Sequence, residues 1–401
     1  MSRLLLLILF PLILLAKVAN PSAVTLTWIS DPATTMTVSW HTPTNRLPSY
    51  IHYREAGESS WKTLISTVHT PSNYLSVRMI TLKNLLPNHS YEFRIDDEVK
   101  TYAFKTLSRD PNAPLRFVIG GDVYRSFALY KKMNATVAKM DPQFVVLGGD
   151  IAYTLRSPYF IHTKKFEIKR WHNFFNEWSK SMVDRNGYMI PVLFVPGNHD
   201  VNGPPVSHVT RGTLYYDFIP LQKPAVTYSA LDITSLFSLF ILDTGHGTPV
   251  TGAQTEWLGK ALAQRANVPL KIAVYHEAAY PAYYLPDSRN SKKIRQFWAP
   301  LFDKYHLTLA FENDNHTYKR THPIKNEQID PSGTIYLGDG AWGVDPRRPK
   351  SPSQLWYLAK TQQINHFYFL DYTAPDLTIQ SYDIKGKIIE NITTHSLSTV
   401  K

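Results

Sequence analysis

The chain has no cysteine among its 401 residues. No disulfide can hold it, and no thiolate can bind a metal, so a metal site must be built from Asp, Glu, Asn, His or Tyr. Runs of lysine and arginine of the kind that form nucleic-acid-binding tails are also missing, and no strong nucleic-acid signal stands out. The net charge of +11 is spread along the chain and suits a negatively charged partner. Long apolar runs are scarce. The one at residues 4–16, behind Met1-Ser2-Arg3, is shorter than the roughly 20 residues that span a bilayer. A basic start and a short apolar stretch read as a secretory signal over residues 1–23, with a secreted or periplasmic protein as the expectation. No clean small-x-small triplet precedes Ala23, so an uncleaved anchor is the alternative; no other segment reads as a membrane span.

What is present is enough for two or three domains, at about 100–200 residues each. The 24 Tyr, 19 Phe and 9 Trp supply a sizeable core, and 28 Pro favour strands and loops over long helices. Residues 24–108 alternate in the manner of short strands. Val24, Leu26 and Trp28, then Met36, Val38 and Trp40, then Tyr91, Phe93 and Ile95 are separated by polar residues and by turns at Asp31-Pro32 and Pro87-Asn88. Such spacing predicts a β-sandwich. From 112 to 396 the pattern changes to short apolar runs with amphipathic stretches between them, at 127–140, 161–178, 254–265 and 291–305. That alternation predicts an α/β domain with buried strands.

The polar residues that follow the apolar runs carry the chemistry. Run 117–119 leads into Gly120-Gly121-Asp122, and run 144–147 into Gly148-Gly149-Asp150 with Tyr153 close behind. Run 192–195 leads into Pro196-Gly197-Asn198-His199-Asp200, run 272–275 into His276, and run 308–311 into Glu312-Asn313-Asp314-Asn315-His316. A single Asp after a strand is usually a helix cap. Five such deliveries to the carboxyl edge of one sheet, where α/β folds bind ligands, point to a metal centre instead. Hard and borderline cations take the oxygen and imidazole donors available here, and a pair of cations can clamp a phosphate and activate water.

At these residues the chain resembles the calcineurin-like metallophosphoesterases, and among them the purple acid phosphatases. The carriers are an early Gly-Asp, GDIAY at 149–153, PGNHD at 196–200, the lone His276, and a final motif ending in His316. Residues 25–40 and 82–94 resemble the fibronectin type III-like domain that precedes the catalytic domain in that family. The resemblance implies a sandwich followed by an α/β/β/α domain with two packed mixed sheets. It implies a first metal held by Asp122, Asp150, Tyr153 and His316. A second would be held by Asp150, Asn198, His276 and a ligand at Asp314, with Asp150 bridging. A tyrosinate at Tyr153 implies iron in the first site; the second would take Mn, Mg, Zn or Fe.

By the same resemblance, His199 stands beside the metals and assists the leaving group, with Asp200 placed to orient its ring. Asn198 and His199 are candidate contacts for substrate. Arg125 has a guanidinium that can pair with phosphoryl oxygens but reads first as a surface arginine, and Lys319 and Arg320 are minor candidates that read first as a solvated face. The implied activity is hydrolysis of the phosphate ester of a small molecule, a monoester, by a metal-bound hydroxide. The alternatives are a phosphodiesterase acting on nucleotides or nucleic acid, and a secreted binding protein that has lost its second metal. Two departures stand out. Val123-Tyr124-Arg125 replaces a small residue after the first motif, and Asn313-Asp314-Asn315-His316 replaces Gly-His-x-His. Asp314 puts a shorter, charged ligand where the family has imidazole.

Overall fold

The computed structural model describes residues 21–44, 48–69, 75–155, 164–203 and 214–395, so the expected signal run at 4–16 lies outside the described residues. The first unit is a sandwich of two four-stranded antiparallel sheets. One has the strand order Ser22–Thr27, Met36–Thr42, Ser76–Leu82, Thr67–His69, and the other Lys62–Ile65, Tyr50–Glu55, Ser90–Ile95, Tyr102–Lys105. Alternation decides which residues face inward: Tyr91, Phe93 and Ile95 are buried while Ser90, Glu92 and Arg94 are less so.

The strand Met36–Thr42 breaks that rule, being buried at every position. Its outward residue His41 does not meet solvent but a second layer. The ring of His41 packs edge-on against Phe175 and Phe218, and its Nδ1 lies 2.9 Å from Nδ1 of His172. His172 and Phe175 belong to the helix Lys164–Ser181, which carries Ile168, Trp171, Phe174, Phe175 and Trp178 on one buried face. The sandwich is thereby fastened to the following domain through a polar-looking strand face.

That domain has two mixed sheets. In the first, Val192–Phe194, Phe144–Leu147 and Leu115–Gly120 run parallel, and His366–Thr373, Asp376–Asp383 and Ile388–His395 continue antiparallel. In the second, Phe237–Ile241, Leu270–Glu277, Leu309–Asn313 and Thr334–Gly338 run parallel, flanked by antiparallel strands. Phe117, Ile119 and Val146 of one sheet share a core with Leu239, Val274 and Phe311 of the other. Helices cover the outer faces, with Trp171 and Phe174 on one side and Leu258, Trp298 and Phe302 on the other. The α/β/β/α arrangement implied by the family resemblance is therefore present.

The amphipathic stretch at 291–305 is not one helix but two, Arg289–Phe297 and Ala299–Lys304. Pro300 explains the break. It has no N–H to continue the first ladder and is suited to the opening turn of the second, where it stands. Among the described residues, no helix is long and apolar enough to cross a membrane.

Burial, and then the adjacent His172, hold the pKa of His41 well below its ordinary value, and burial likewise lowers that of His172. An unfolded histidine takes up a proton near pH 6.5, whereas the folded pair resists it. The stability this pair contributes is therefore complete above pH 6.5 and is lost as the pH falls below it. Urea midpoints measured at about pH 7.5 and about pH 5.5 should show a smaller acid-induced loss in His41→Phe than in the parent. The expected difference is on the order of 1 kcal/mol.

Candidate metal centre

The parallel strands of both sheets end at one edge. There the chain turns sharply, and candidate donors occupy left-handed backbone: Asp122 (φ 56°), Asp150 (53°), Tyr153 (52°), Asp314 (71°) and His316 (57°). Asp tolerates this region; Tyr and His do so at a cost of roughly 1–3 kcal/mol each, which surrounding contacts must offset. Asn313 supplies one such contact. Its amide donates to the Tyr275 carbonyl at 2.8 Å and wedges the strand ends together. A Cβ on Gly121 would fall 2.2 Å from Asn313 Oδ1, and one on Gly148 would fall 2.0 Å from Nδ2. Both positions must therefore be glycine for the two sheet edges to meet.

Asp122 Oδ1 lies 2.9 Å from His316 Nε2 and 3.1 Å from the Tyr153 hydroxyl, and Oδ2 accepts from the Asp314 backbone N–H at 2.9 Å. Tyr153 and His316 are themselves 3.2 Å apart. These three form one lobe. Beside it, Asp150 Oδ1 accepts from the His199 N–H at 2.9 Å and stands 3.3 Å from His276 Nε2. His276 donates Nδ1–H to the Gly148 carbonyl at 3.0 Å. Its Nε2 then faces oxygens on every side: Asn198 Oδ1 at 3.0 Å, Asp150 Oδ1 at 3.3 Å and Asp314 Oδ1 at 3.8 Å.

The donor set fits cations. Ligand atoms of Asp122, Asp150 and His276 all lie within 4.8 Å of one another. Asp150 Oδ2 and His316 Nδ1 are buried with no hydrogen-bond partner among the described residues. Among the described residues, the ion-pair partners of Asp122, Asp150 and Asp314 are histidines alone, with no lysine or arginine. The protonation states report the same shortage of positive charge. Burial opposes a proton on His276, but the pull of Asp150, Asp122 and Asp314 outweighs it and pushes the pKa up to about 10. Burial and then Asp122 and Asp150 hold the Tyr153 phenol well above its usual range, so its ionisation requires a cation alongside. Burial also raises Asp314 strongly. Its carboxylate does reach His276, so the altered final motif keeps an oxygen donor in the second lobe.

His199 stacks on Tyr153, with centroids 4.9 Å apart, and its Nε2 lies 3.9 Å from Asp150 Oδ2. Its Nδ1 meets the carbonyl of Leu155. Asp200 therefore does not orient this ring, contrary to the expectation from its place in the chain. Its oxygens accept from the N–H groups of Ile151 (2.6 Å) and Ala152 (3.0 Å), holding the turn that presents Asp150 and Tyr153. Burial and the nearby Asp150 push its pKa up to about 7. Arg125 is exposed, and among the described residues no contact joins it to the cluster.

Lys319 is not on a solvated face. It is fully buried, bonded to Glu312 Oε2, to Asp339 Oδ1 at 2.9 Å and to the Tyr280 carbonyl. Glu312 accepts in turn from Tyr275 O–H and Ala279 N–H, both at 2.7 Å, and Asp339 accepts from Ala282 N–H at 3.1 Å. This network ties the strand Leu309–Asn313, which leads into Asp314, to the loop after His276. Arg320, the other residue expected at that face, pairs with Glu390 at 3.0 Å. His246 was also missed; its ring centroid is 5.6 Å from that of His276. The signal was a further strand end, Asp243 after Phe237–Ile241. That carboxylate turns out to collect the N–H groups of Gly245, His246, Gly247 and Thr248. Replacing Lys319 with Met would leave two carboxylates buried without their cation, a loss of about 3–5 kcal/mol. Thermal or urea unfolding of Lys319→Met should show it, and Lys319→Arg should recover part.

Both units of the chain match known families. Residues 21–106 match the family described as "Purple acid Phosphatase, N-terminal domain", and residues 115–311 match "Calcineurin-like phosphoesterase". "Purple acid phosphatase 21" of Arabidopsis thaliana is 22% identical over 323 residues, 76% of this chain and 67% of that protein. "Probable inactive purple acid phosphatase 1" of the same plant is 22% identical over 368 residues, 78% and 56% of the two chains. The chain thus spans between about half and two thirds of the length of such curated relatives. The solved structure of purple acid phosphatase PPD1 from yellow lupin seeds superposes with a TM-score of 0.77 at 18% identity, covering 93% of this chain and 74% of that one. The chain belongs to the calcineurin-like metallophosphoesterases, in the purple acid phosphatase-like group that carries a β-rich domain ahead of the phosphoesterase domain.

Proposed function

We propose that this protein hydrolyses phosphate monoesters at a dinuclear metal centre. The observation that carries the reading is the two-lobed donor set that shares Asp150. Among the described residues its Oδ2 has no hydrogen-bond partner, and His276 Nε2 is ringed by three oxygens. Asp122, Tyr153 and His316 would hold one cation, and Asn198, His276 and Asp314 the other, with Asp150 between them. Bound there, such cations neutralise phosphoryl oxygens and activate water.

The chain's own residues do the rest. The turn held by Asp200 fixes Asp150 and Tyr153 in place before substrate arrives, which favours catalysis by pre-set charge. The Leu155 carbonyl keeps the His199 proton on Nδ1, so Nε2 faces the partly open cleft. Protonated there, His199 donates to the departing ester oxygen as the bond to phosphorus breaks. Asn198 is exposed at the same mouth and is placed to bond a phosphoryl oxygen.

In this reading Tyr153 selects iron for the first lobe. The carboxylate of Asp314 adds negative charge where imidazole is usual, so the second lobe favours Mn or Mg over Zn. A second reading, a binding protein with one metal, is favoured by that same substitution and by the relative named as inactive. The apolar run behind Met1-Ser2-Arg3 acts as an export signal that ends before the strand Ser22–Thr27, and not at 23; the sandwich then runs to 108 and the phosphoesterase domain over 112–396, with a phosphorylated small molecule as partner.

Metal analysis together with turnover of 4-nitrophenyl phosphate and bis(4-nitrophenyl) phosphate decides among these. Two metals per chain and faster monoester cleavage are expected, and His199→Ala should lower kcat by about 10²–10⁴-fold with the metals retained. One metal and no turnover would leave the binding reading. Faster diester cleavage would move the activity to phosphodiesters. A visible absorption band that is lost in Tyr153→Phe would identify the iron–tyrosinate pair.

A further inference from the structure

Beside the metal centre lies a cavity of about 500 Å³ that Asn198 and Asp314 both line. It is thus continuous with the site, and its volume lies within the usual range for small-molecule pockets. Its walls are of three kinds, and the neutral polar one includes Ser288 and Ser291. Ala278, Pro281, Tyr284 and Leu285 are apolar, and Leu285 is 73% exposed although it stands at the mouth of the site. Glu277, Asp287 and Asp314 are acidic, and no lysine or arginine lines the cavity.

The aromatic lip is held rigidly. Asn315 Oδ1 accepts from the N–H groups of Tyr283 (2.9 Å) and Tyr284 (3.1 Å). Lys350 donates to both of their carbonyls, at 2.7 and 2.6 Å. Arg347 lies over both rings and donates to the Tyr284 hydroxyl at 2.8 Å and to the Asp314 carbonyl at 3.1 Å. Each of these cations therefore serves the lip from outside the cavity lining. The acids in the lining are only partly compensated: Asp287 pairs with Arg295 at 3.0 Å, while Glu277 has the buried His246 at 3.6 Å.

We propose that this cavity receives the alcohol part of the ester and selects a flat, uncharged, apolar group, an aryl alcohol, over an alcohol that carries a second phosphate. The inference rests on the phosphoester reading for the position of the first phosphate. A ring entering the cavity covers Pro281, Leu285 and the Tyr284 ring, all already in place, so little ordering is needed on binding. A second phosphate would face Glu277, the acid of the lining that neither Arg295 nor a cation held at Asp314 covers, and among the described residues no lysine or arginine lines the cavity to meet it. Such repulsion is an efficient source of selectivity.

The test uses the metal-loaded protein and phosphonates, which cannot be hydrolysed, so leaving-group reactivity does not intervene. Calorimetry should show phenylphosphonate binding about tenfold tighter than methylphosphonate. Propane-1,3-diphosphonate should bind no tighter than propylphosphonate. Tyr284→Ala should bring the phenyl-to-methyl ratio near one, and Leu285→Ser, at an exposed position, should lower it without risk to folding. Glu277→Gln should shift binding toward the diphosphonate. Equal binding of the phenyl and methyl compounds, a ratio unmoved by both lip variants, or no phosphonate binding at all would overturn the inference. If the ratio is found but no ester is turned over, the hydrolase reading falls and the cavity assignment stands. If esters turn over while the ratio is near one, the reverse holds.

Discussion

Three aspartates, Asp122, Asp150 and Asp314, converge on a site where, among the described residues, the ion-pair partners of their carboxylates are imidazoles alone. Buried carboxylates repel one another strongly in a medium less polarisable than water, and a folded chain cannot leave that repulsion unanswered. Here it is answered in part by the proton drawn onto His276 and by the one retained on Tyr153. Cations would answer it better, because they satisfy Asp150 Oδ2 and the ring of oxygens around His276 together. Much of the surrounding structure follows from holding these like charges close. The turns carry left-handed ligands, the glycines admit Asn313, and Asp200 spends both oxygens on the turn that bears Asp150 and Tyr153.

A second charged layer lies behind the first. Lys319 sits between Glu312 and Asp339 with no solvent contact, and these acids fasten the loop at 279–282 through backbone N–H groups. That loop leads into the tyrosine lip. The chain from Asp314 back through Glu312, Lys319 and Tyr280 thus links the metal edge to the wall of the neighbouring cavity. Breaking the buried ion pair would disturb both at once, which is why a lysine that looks like surface decoration in the sequence belongs to the working part of the molecule.

The legible parts of the sequence are those where one residue type has one common use. Glycine pairs before Asp122 and Asp150, the Asn198-His199 pair, and His276 directly after an apolar run all announced a strand-end site, and the structure assembles these residues within a few contacts of one another. Less legible were residues whose role depends on what lies across from them. Asp200 reads as a partner for its neighbour His199, yet in a sharp turn adjacent side chains diverge and its carboxylate meets backbone N–H groups instead. His41, which no motif marks in the sequence, lies on the outward face of its strand and is buried by the helix packed over it. Arg125, plausible as a phosphate contact by type, points to solvent.

By itself, the sequence determined the order of the two units, the α/β character of the second with its buried strands, and the donors offered at the sheet edge, because strand periodicity and turn chemistry are local properties; the α/β/β/α layering came only with the family resemblance. It also determined that those donors are oxygen and nitrogen, since no cysteine exists to compete. Tertiary structure alone decided that Asp314 reaches the second lobe, that Lys319 is interior, and that the cavity beside the site is walled by acids and a tyrosine lip. Each depends on distances between segments far apart in the chain, which the packing of the two sheets sets and no local pattern records.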